Sequence, residues 1–422
     1  MLIHTSDLHI GAFSGRQLFN ATIDAFEKIV SYAIENNAEA VIVSGDFFER
    51  PRLENYSALI RVNRLLKELR DHNIPVVIVP GSHDSSVRRQ DILSVLEAAG
   101  LIHITPYEIR GDIIWLKPLH VGEYVFYGLP GLKNSQEIVF LENNKLVFED
   151  LNNDKTNILL AHTSVEFQGY RFSDFAYRYG KAVIKNERVL RAIPEEIKYI
   201  ALGHIHFPIP LEDSFIGNIA YPGAPVGRDL SDLLETWMLR NRYSKNRRFL
   251  EVVFGEGKPL VKSIWEDFDI DVSFYETEYY PNIDEILSVI RSKLRDLNGK
   301  YKVLIVSIHD LPPEKKGDIL AGIRVYEQKY NTLIHLSAKI KVEEITDLVL
   351  STYEITDNIE EIERRAVAEA VEKLGLGIEP EKILKLINIL GEEKPPEEKD
   401  AEYYAKLFNE IKPLLEEILG GR

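Results

Sequence analysis

Five short apolar segments of this chain each run directly into histidine and aspartate residues, and this pattern constrains the fold more than any other feature. The segments are rich in valine, isoleucine, leucine and alanine, which is typical of buried β-strands. Because the sites of open α/β sheets lie at the carboxyl ends of the strands, we expect these polar side chains to converge on one pocket. The polar groups, in chain order, are Asp7-Leu8-His9, Gly45-Asp46, Gly81-Ser82-His83-Asp84, His162 and Gly203-His204-Ile205-His206.

Strand and helix patterns alternate along the first half of the chain. Apolar residues at helical spacing predict amphipathic helices, and short continuous apolar runs predict strands between them. This alternation predicts an α/β fold. The predicted strands are 2–5, 40–44, 74–80, 157–161 and 199–202, and the predicted helices are 20–36 and 55–70.

The residue types in the five polar groups match the needs of a two-metal phosphoesterase. Two cations about 3.5–4 Å apart can clamp a phosphodiester and activate a bridging water. Cations so close repel each other, so a carboxylate must bridge them, and Asp46 is the natural candidate. Alternation along the chain turns Asp7 and His9 to one side, and does the same for His204 and His206. Imidazole and carboxylate ligands suit manganese, zinc or iron better than calcium.

Each polar group alone has an ordinary structural explanation, since a single strand-end histidine is usually a loop residue and an aspartate after glycine is usually a turn residue. Five such groups, each following an apolar strand, together predict a metal site. The remaining histidines lack this context and are interpreted as surface or strand residues. They are His4, His72, His103, His120, His309 and His335.

The series of motifs over residues 1–206 resembles the calcineurin-like metallophosphoesterase superfamily, whose signature is D-x-H, G-D, G-N-H-[DE], H and G-H-x-H. The resemblance implies a sandwich of β-sheets flanked by helices. Within the superfamily, the chain is similar to the SbcD-type nucleases, which are the meiotic-recombination-eleven family of double-strand-break repair. That narrower similarity rests on a small domain at 268–345, a helical C-terminal region and the stretch Tyr221-Pro222-Gly223-Ala224.

The resemblance implies a role for each motif residue. His83 would stabilise the transition state and help to protonate the leaving 3′ oxygen, and Asp84 would orient His83. The implied metal ligands are Asp7, His9 and His206 for the first ion, His162 and His204 for the second, and Asp46 as the bridge.

Two positions depart from the family pattern. Ser82 stands where the family has an asparagine ligand, and a hydroxyl is a shorter and weaker ligand than an amide oxygen. The second metal would therefore be bound less tightly, or a water would complete its shell. Glu49 stands where relatives can carry histidine or aspartate, and its role is left open beside that of a solvent-facing loop residue.

After about residue 266 the sequence no longer contains clusters of ligand-type residues. The predicted division is a nuclease core at 1–266, a capping, DNA-binding domain at 267–345 and a helical partner-binding region at 346–422, with a charged linker near 392–399. The capping domain is predicted to alternate strand and helix from Phe268 to Ile340. Helices are predicted at 356–376, 378–391 and 400–419.

The last predicted helix has an apolar stripe, which predicts either folding back on its own chain or binding of a partner helix. We favour partner binding. In the family such helices grip the coiled coil of an SMC-like ATPase, the SbcC-type subunit. The family also forms two-fold dimers, through helices that correspond to 55–70 and 91–99 here. The stripe consists of Leu407, Phe408, Ile411, Leu414, Leu415 and Ile418.

Net charge is −16, and residues 351–422 contribute half of the excess with 18 acidic and 10 basic residues. Such an acidic chain is unlike a nonspecific nucleic-acid coat protein. A phosphate-binding face is still expected near the metals, and the basic run between Arg240 and Arg248 is a further candidate. The arginines that a DNA substrate would contact, each otherwise a surface charge, are Arg16, Arg50, Arg52, Arg88, Arg89 and Arg228.

The chain has no cysteine, which excludes disulfides, thiolate metal sites and a cysteine nucleophile. It shows neither a signal-peptide pattern nor an apolar run of the roughly 20 residues that a membrane helix needs, so a cytoplasmic, nucleoid-associated location is expected. Together with the metal-site motifs, the resemblance to the SbcD-type nucleases implies a manganese-dependent DNA exonuclease and endonuclease with two divalent cations. The alternatives are an enzyme for nucleotides or other small phosphodiesters, and a metal-binding DNA-tethering scaffold with weak hydrolysis.

Overall fold

The computed structural model describes most of the first 337 residues. By its internal contacts the chain divides into two units, Met1–Thr352 and Tyr353–Arg422, and the sheets and helices given below with their bounds lie in the first unit. The described residues are 1–13, 17–52, 56–84, 91–151, 154–167, 184–280, 282–337, 382–383, 385–386, 408 and 411–412.

The first of two facing sheets has seven strands, and its central strands run parallel while those nearer one edge run antiparallel. Three of its parallel strands carry the first three polar groups, one group each, just beyond their carboxyl ends. In spatial order the strands are β14 (Ser214–Ile216), β17 (Leu260–Glu266), β16 (Arg247–Val253), β1 (Leu2–Thr5), β2 (Ala40–Ser44), β3 (Val76–Val79) and β4 (His103–Ile104).

The second sheet has five strands, four of them parallel. Its two central strands end in His162 and Gly203, so the last two polar groups lie at their carboxyl ends. In spatial order the strands are β15 (Ile219–Ala220), β13 (Ile197–Gly203), β10 (Thr156–His162), β8 (Tyr124–Leu129) and β7 (Leu119–Val121).

The two sheets pack face to face around an apolar core. Ile42 and Val77 from the first sheet meet Phe126 and Leu160 from the second, and all four are fully buried. The alternate residues of β2 point the other way, into the core beneath the helices. Burial on both faces explains why these strands are continuous apolar runs rather than alternating ones.

Helices cover the outer faces of both sheets. Helices α1 (Ala21–Glu35), α2 (Tyr56–Asp71) and α3 (Ile92–Ala98) bury their apolar sides against the first sheet. Helices α4 (Gln136–Glu142) and α5 (Asn186–Ala192) cover the second. Each large aliphatic or aromatic side chain buried in this way stabilises the fold by roughly 1.5–3 kcal/mol. The predicted sandwich of sheets flanked by helices is confirmed.

Helix α6 (Leu230–Tyr243) begins with a capping box in which the side chains and backbone amides of Asp229 and Asp232 bond reciprocally. Two short sheets and a 3₁₀ turn complete this part of the fold. They comprise β5 (Tyr107–Arg110), β6 (Ile113–Leu116) and β9 (Leu146–Phe148), then β11 (Val165–Glu166) and β12 (Ile184–Lys185), and the turn Lys133–Ser135.

A parallel three-stranded sheet follows, built from β18 (Ile270–Glu278), β19 (Tyr301–His309) and β20 (Thr332–Ser337). Helices α7 (Ile283–Asp296) and α8 (Pro313–Tyr330) pack on one face around a small core of their own. The strand and helix order predicted for this segment is observed as far as Ser337.

The other face of the three-stranded sheet continues the core beneath α1, through Ile270, Val303 and Ile305. Asp24 of α1 fixes this contact, because it accepts hydrogen bonds from the Lys300 ammonium group and the Tyr301 hydroxyl.

The predicted C-terminal helices lie almost wholly outside the described residues. Of their apolar stripe, Phe408 is 59% exposed and Ile411 is partly buried. Among the described residues, no helix combines the length and apolar composition that crossing a membrane would require. The stripe residues outside the described part are Leu407, Leu414, Leu415 and Ile418.

Candidate metal centre

The loops after β1 and β2 are joined by backbone hydrogen bonds. The amide of Asp7 donates to the Gly45 carbonyl oxygen and the amide of His9 donates to the Asp46 carbonyl oxygen, both at 3.0 Å. Asp7, His9 and Asp46 have φ values of 52°, 44° and 50°, a left-handed conformation that is uncommon for residues other than glycine. Strained backbone of this kind collects at functional sites, where the surrounding structure holds it in place.

Asp7, His9 and His206 form the first cluster. The Nε2 atoms of His9 and His206 lie 3.1 Å apart, and Nε2 of His206 is 3.7 Å from Oδ1 of Asp7. One ligand-type atom of each residue falls within 4.8 Å of the other two, and all three residues are buried. The structure thus brings together the three residues expected around the first metal.

Asp46, His162 and His204 form the second cluster. Nε2 of His162 lies 3.3 Å from Oδ2 of Asp46, and the rings of His162 and His204 pack edge to face with centroids 5.0 Å apart. The same Oδ2 atom is 3.8 Å from Nε2 of His9 in the first cluster. A single carboxylate oxygen therefore faces both clusters.

Hydrogen bonds at Nδ1 of two imidazole rings leave the Nε2 atoms directed into the clusters. Nδ1 of His206 lies 2.7 Å from Oδ1 of Asp232, and Nδ1 of His162 lies 2.9 Å from the Ser44 carbonyl oxygen. Both partners only accept, so each Nδ1 carries the proton and each Nε2 presents a lone pair. Among the residues that the structure describes, Nε2 of His162 is buried without a hydrogen-bond partner. These lone pairs fit a divalent cation, because facing lone pairs repel unless a positive charge lies between them.

The electrostatics of the second cluster also favour positive charge. Burial opposes ionisation of Asp46, but the facing imidazoles of His162, His9 and His83 hold the pKa of its carboxyl well below the ordinary value. Burial alone would lower the pKa of His162, yet the Asp46 carboxylate outweighs it and raises that pKa, so a proton competes with a cation for the Nε2 lone pair. His204 differs, since burial and the charge of His162 lower its pKa. The set thus contains one firmly ionised carboxylate that attracts cations.

Two glycines are required for the clusters to close. Gly45 has a φ of +86°, and a Cβ atom there would lie 2.2 Å from Nδ1 of His162. A Cβ atom at Gly81 would lie 2.1 Å from Oδ1 of Asp46. Neither position has room for a side chain, so both glycines allow a close backbone approach.

His83 lies at the rim of the clusters, with 29% of its side chain exposed. Its amide donates to Oδ1 of Asp46 at 2.9 Å, and its Nδ1 atom lies 3.0 Å from the Glu49 carbonyl oxygen. The carbonyl oxygen only accepts, so Nδ1 carries the ring proton and Nε2 is left for other contacts.

Asp84, which was expected to orient His83, bonds the backbone of the neighbouring loops in this structure. The Asp84 carboxylate accepts hydrogen bonds from the amides of Phe47, Phe48 and Gly81 at 2.9–3.1 Å. Burial and the charge of Asp46 raise the pKa of Asp84 to about 6, although the hydrogen bonds from those three amides act to lower it. Adjacent residues in a tight loop point in different directions, so Asp84 fixes the two loops and the Glu49 carbonyl orients the ring of His83.

Ser82 and Glu49, the two departures from the family pattern, lie on different sides of the clusters. Ser82 is exposed, and its amide borders Gly131, as does the ring of His162. Glu49 lies by the first cluster, with Oε2 2.9 Å from Nδ1 of His9. Burial opposes ionisation of Glu49, but the contact with His9 and the charges of His83 and Arg228 lower its pKa.

The family model of the calcineurin-like phosphoesterases matches residues 1–208 of the chain, which contain both clusters. These residues form a calcineurin-like phosphoesterase domain. The chain is therefore a metal-dependent phosphodiesterase, and the resemblance stated from the sequence motifs is confirmed.

Two curated relatives extend the similarity beyond the phosphoesterase domain. The DNA double-strand break repair protein Mre11 of Sulfolobus acidocaldarius is 24% identical over 421 residues, covering 96% of this chain and 98% of the relative. The protein of the same name from Aeropyrum pernix is 26% identical over 251 residues, covering 54% of this chain and 58% of the relative.

Two residues that position the phosphoesterase site were missed from the sequence. Asp232 accepts from Nδ1 of His206, and it also accepts from the backbone amide of Arg228 at 2.8 Å. Arg247 is buried and donates to the carbonyl oxygens of His206 and Asp232. The capping-box spacing of Asp229 and Asp232 signals the start of a helix, but nothing in the sequence links that helix to His206.

The arginines near the phosphoesterase site fall into three groups. Arg228 is at the site, with Nη1 2.6 Å from Nε2 of His83. Arg50 and Arg52 are exposed in the loop after β2. In the basic run, Arg247 and Arg248 are only 2% and 0% exposed, so they are structural rather than part of a phosphate-binding face. The predicted contacts outside the described residues are Arg16, Arg88 and Arg89.

Proposed function

We propose that this protein is a manganese-dependent DNA exonuclease and endonuclease that acts in double-strand-break repair with an SMC-like ATPase partner. The observation that carries the proposal is that Oδ2 of Asp46 faces two separate cation-sized clusters, at 3.3 Å from His162 and 3.8 Å from His9. A shared carboxylate between two such clusters is the arrangement that two-metal hydrolysis of a phosphodiester requires.

The residues proposed as ligands are Asp7, His9 and His206 for the first cation and His162, His204 and Ser82 for the second, with Asp46 between them. Imidazole and carboxylate donors without any thiolate support manganese over softer metals. When bound, the cations would polarise the phosphodiester and supply a nucleophilic water. The Asp232 carboxylate holds the Nδ1 proton of His206 and the Ser44 carbonyl oxygen holds that of His162, so the Nε2 atoms of these two rings are aimed inward.

His83 is proposed as the general acid for the leaving 3′ oxygen. Its backbone is held by Asp46, and its Nδ1 proton is held by the Glu49 carbonyl, so the ring has one fixed orientation. Nε2 accepts from Nη1 of Arg228 in this structure, and once Arg228 moves to a phosphate oxygen, Nε2 can take up a proton from water and pass it to the leaving oxygen. Proton transfer by such a positioned group contributes typically about 10²–10⁴-fold to the rate.

DNA is proposed as the substrate because both named relatives are DNA double-strand break repair proteins and one aligns with nearly the whole chain. Arg228 supports a phosphate contact beside the clusters, and the exposed Arg50 and Arg52 extend that positive charge along the rim. The segment 267–345 is proposed as the DNA-binding cap. Phosphate contacts of this kind give binding that weakens as salt concentration rises.

The partner proposal rests on the sequence of the second unit. Its apolar stripe and net negative charge suit a basic coiled coil, and the exposed Phe408 supports a docking position for that partner.

A homodimer through α2 and α3 is also proposed, because the family that the chain resembles forms dimers through the corresponding helices. The large apolar side chains that these helices expose are Tyr56, Ile60 and Val95.

The deciding experiment compares Mn²⁺-dependent cleavage of single-stranded and hairpin DNA with hydrolysis of bis-p-nitrophenyl phosphate and of nucleoside phosphates. We expect cleavage of both DNA substrates, blocked by chelator and restored by Mn²⁺. Efficient hydrolysis of the small substrates without cleavage of DNA would instead identify an enzyme for nucleotides or other small phosphodiesters.

A second candidate function, a metal-binding scaffold that tethers DNA with weak hydrolysis, is favoured by one observation. Ser82 presents an exposed hydroxyl where the family supplies an amide oxygen. The variant Ser82→Asn restores that ligand. A large gain in hydrolysis over the wild type would favour the scaffold, whereas similar rates would show that Ser82 supports the nuclease.

A further inference from the structure

Glu49 contacts the ring of His9 from the side opposite the first cluster. Its Oε2 atom is 2.9 Å from Nδ1 of His9, while Nε2 of the same ring faces His206. The two nitrogens of an imidazole point in divergent directions, so Glu49 cannot bind the cation that Nε2 binds. Glu49 therefore lies on the side of the His9 ring that faces away from the first cluster.

Within the described residues, neither Nδ1 of His9 nor Oε2 of Glu49 has a hydrogen bond to any other group, and both atoms are buried. The approach is too oblique for a standard hydrogen bond, so the contact is an electrostatic one. A lone pair on Nδ1 would repel the carboxylate, whereas a proton there attracts it. The arrangement therefore requires the proton on Nδ1 and leaves the Nε2 lone pair directed into the cluster.

The same arrangement occurs at the other histidine of the first cluster, where Oδ1 of Asp232 lies 2.7 Å from Nδ1 of His206. Both imidazoles of that cluster thus have a carboxylate behind them. In the second cluster, the group that Nδ1 of His162 bonds within the described part of the chain is the Ser44 carbonyl oxygen, which is neutral. A carboxylate orients an imidazole ligand more strongly and makes it more basic than a neutral acceptor does.

We infer that Glu49 is a positioning residue, which fixes the ring of His9 so that the Asp7–His9–His206 cluster binds its cation more tightly than the Asp46–His162–His204 cluster. The inference rests on the proposed function of the two clusters. It assigns a role to the position that the sequence left open, and it predicts that the two cations bind in order rather than together.

The test is a Mn²⁺ titration of the full-length protein, with free Mn²⁺ measured by electron paramagnetic resonance. The wild type should show one tight and one weaker site. Glu49→Gln keeps the size of the side chain but removes the charge, and should weaken the tight site about 10–100-fold while the weaker site is unchanged. Asp232→Asn should weaken the same site.

Glu142→Gln is the matched control, because Glu142 pairs with Arg188 on the surface away from both clusters. It should bind Mn²⁺ as the wild type does. Glu49→Asp is a second variant, which keeps the charge but withdraws the oxygen from Nδ1, and it too should weaken the tight site. Thermal melting in chelator confirms that each variant is folded.

The outcomes separate the inference from the proposed function. A folded Glu49→Gln or Glu49→Asp protein that binds Mn²⁺ as the wild type does, or that loses affinity only at the weaker site, would overturn the role of Glu49. A wild type that binds two cations but cleaves no DNA would instead contradict the proposed function and leave the role of Glu49 intact.

Discussion

The carboxylate of Asp232 lies 2.7 Å from Nδ1 of His206, although the two residues are separated by 26 positions and only the histidine belongs to a ligand-type motif. Asp232 is fully buried, and it accepts backbone amides at the start of α6 as well as the imidazole. One side chain therefore joins a helix terminus to a metal ligand, and the position of α6 is coupled to the geometry of the first cluster.

Replacing Asp232 with asparagine should lower both Mn²⁺ affinity and phosphodiester hydrolysis. Loss of the charge behind His206 should cost about 10–100-fold in metal affinity. High Mn²⁺ should restore most of the activity, which a collapsed fold would not allow. The rate of bis-p-nitrophenyl phosphate hydrolysis as a function of Mn²⁺ concentration measures this, and an unchanged half-saturating concentration would contradict the assignment.

His83→Ala should abolish hydrolysis while the protein still binds about two Mn²⁺ per chain. The imidazole lies at the rim of the clusters, so its removal takes away a proton donor worth about 10²–10⁴-fold without removing a ligand. Metal analysis after dialysis and a DNA cleavage assay check the two halves separately. Loss of both metals would show that His83 is a ligand.

Deleting residues 392–422 should leave hydrolysis of a small phosphodiester intact and remove binding of the coiled-coil partner. Both clusters lie in the first unit, and the deletion removes only part of the second. Hydrolysis of bis-p-nitrophenyl phosphate and co-purification with the partner's coiled coil are the two measurements. Unfolding of the shortened chain, seen by thermal melting, would count against 392–399 as a linker.

The strand-end motifs could be recognised from sequence because each follows a strand that is buried on both faces. Asp46 and His162 lie at or just beyond the ends of apolar runs whose sheet positions the α/β pattern already fixes. The convergence of two sheets on one site follows from that pattern together with the family resemblance. The residues that hold the ligands in place, such as Asp232 and Arg247, do not follow apolar strands in a recognisable motif.

Arg248 shows why the buried polar contacts that support the fold could not be predicted from the sequence. A run of basic residues is normally a solvated face, but Arg248 lies in β16 with its side chain directed into the core. There it donates to the Ser263 hydroxyl and the Tyr221 carbonyl oxygen, and stacks on Trp265. Burial of an arginine depends on acceptors brought in from distant strands, and local sequence does not contain that information.

The buried His4 gives the fold a measurable dependence on pH. Ser44 Oγ donates to the Ala201 carbonyl oxygen, so it accepts from Nε2 of His4 at 3.0 Å, and the Tyr199 hydroxyl bonds the other ring nitrogen at 2.9 Å. Burial, followed by the charge of Arg248, lowers the pKa of His4 from 6.5 to about 3. The folded state therefore contains His4 with a neutral ring.

The contribution of His4 to stability should be complete above pH 6.5 and should be lost progressively as the pH falls towards 3, because only the unfolded chain binds the proton in that window. The free energy of unfolding should fall by about 1.4 kcal/mol per pH unit from this group. His4→Gln should remove that part of the slope, whereas His120→Gln, at an exposed position in β7, should keep it. Urea unfolding in chelator at pH 7, 6 and 5 measures all three proteins, and equal slopes for the wild type and His4→Gln would show that folding does not lower the pKa of His4.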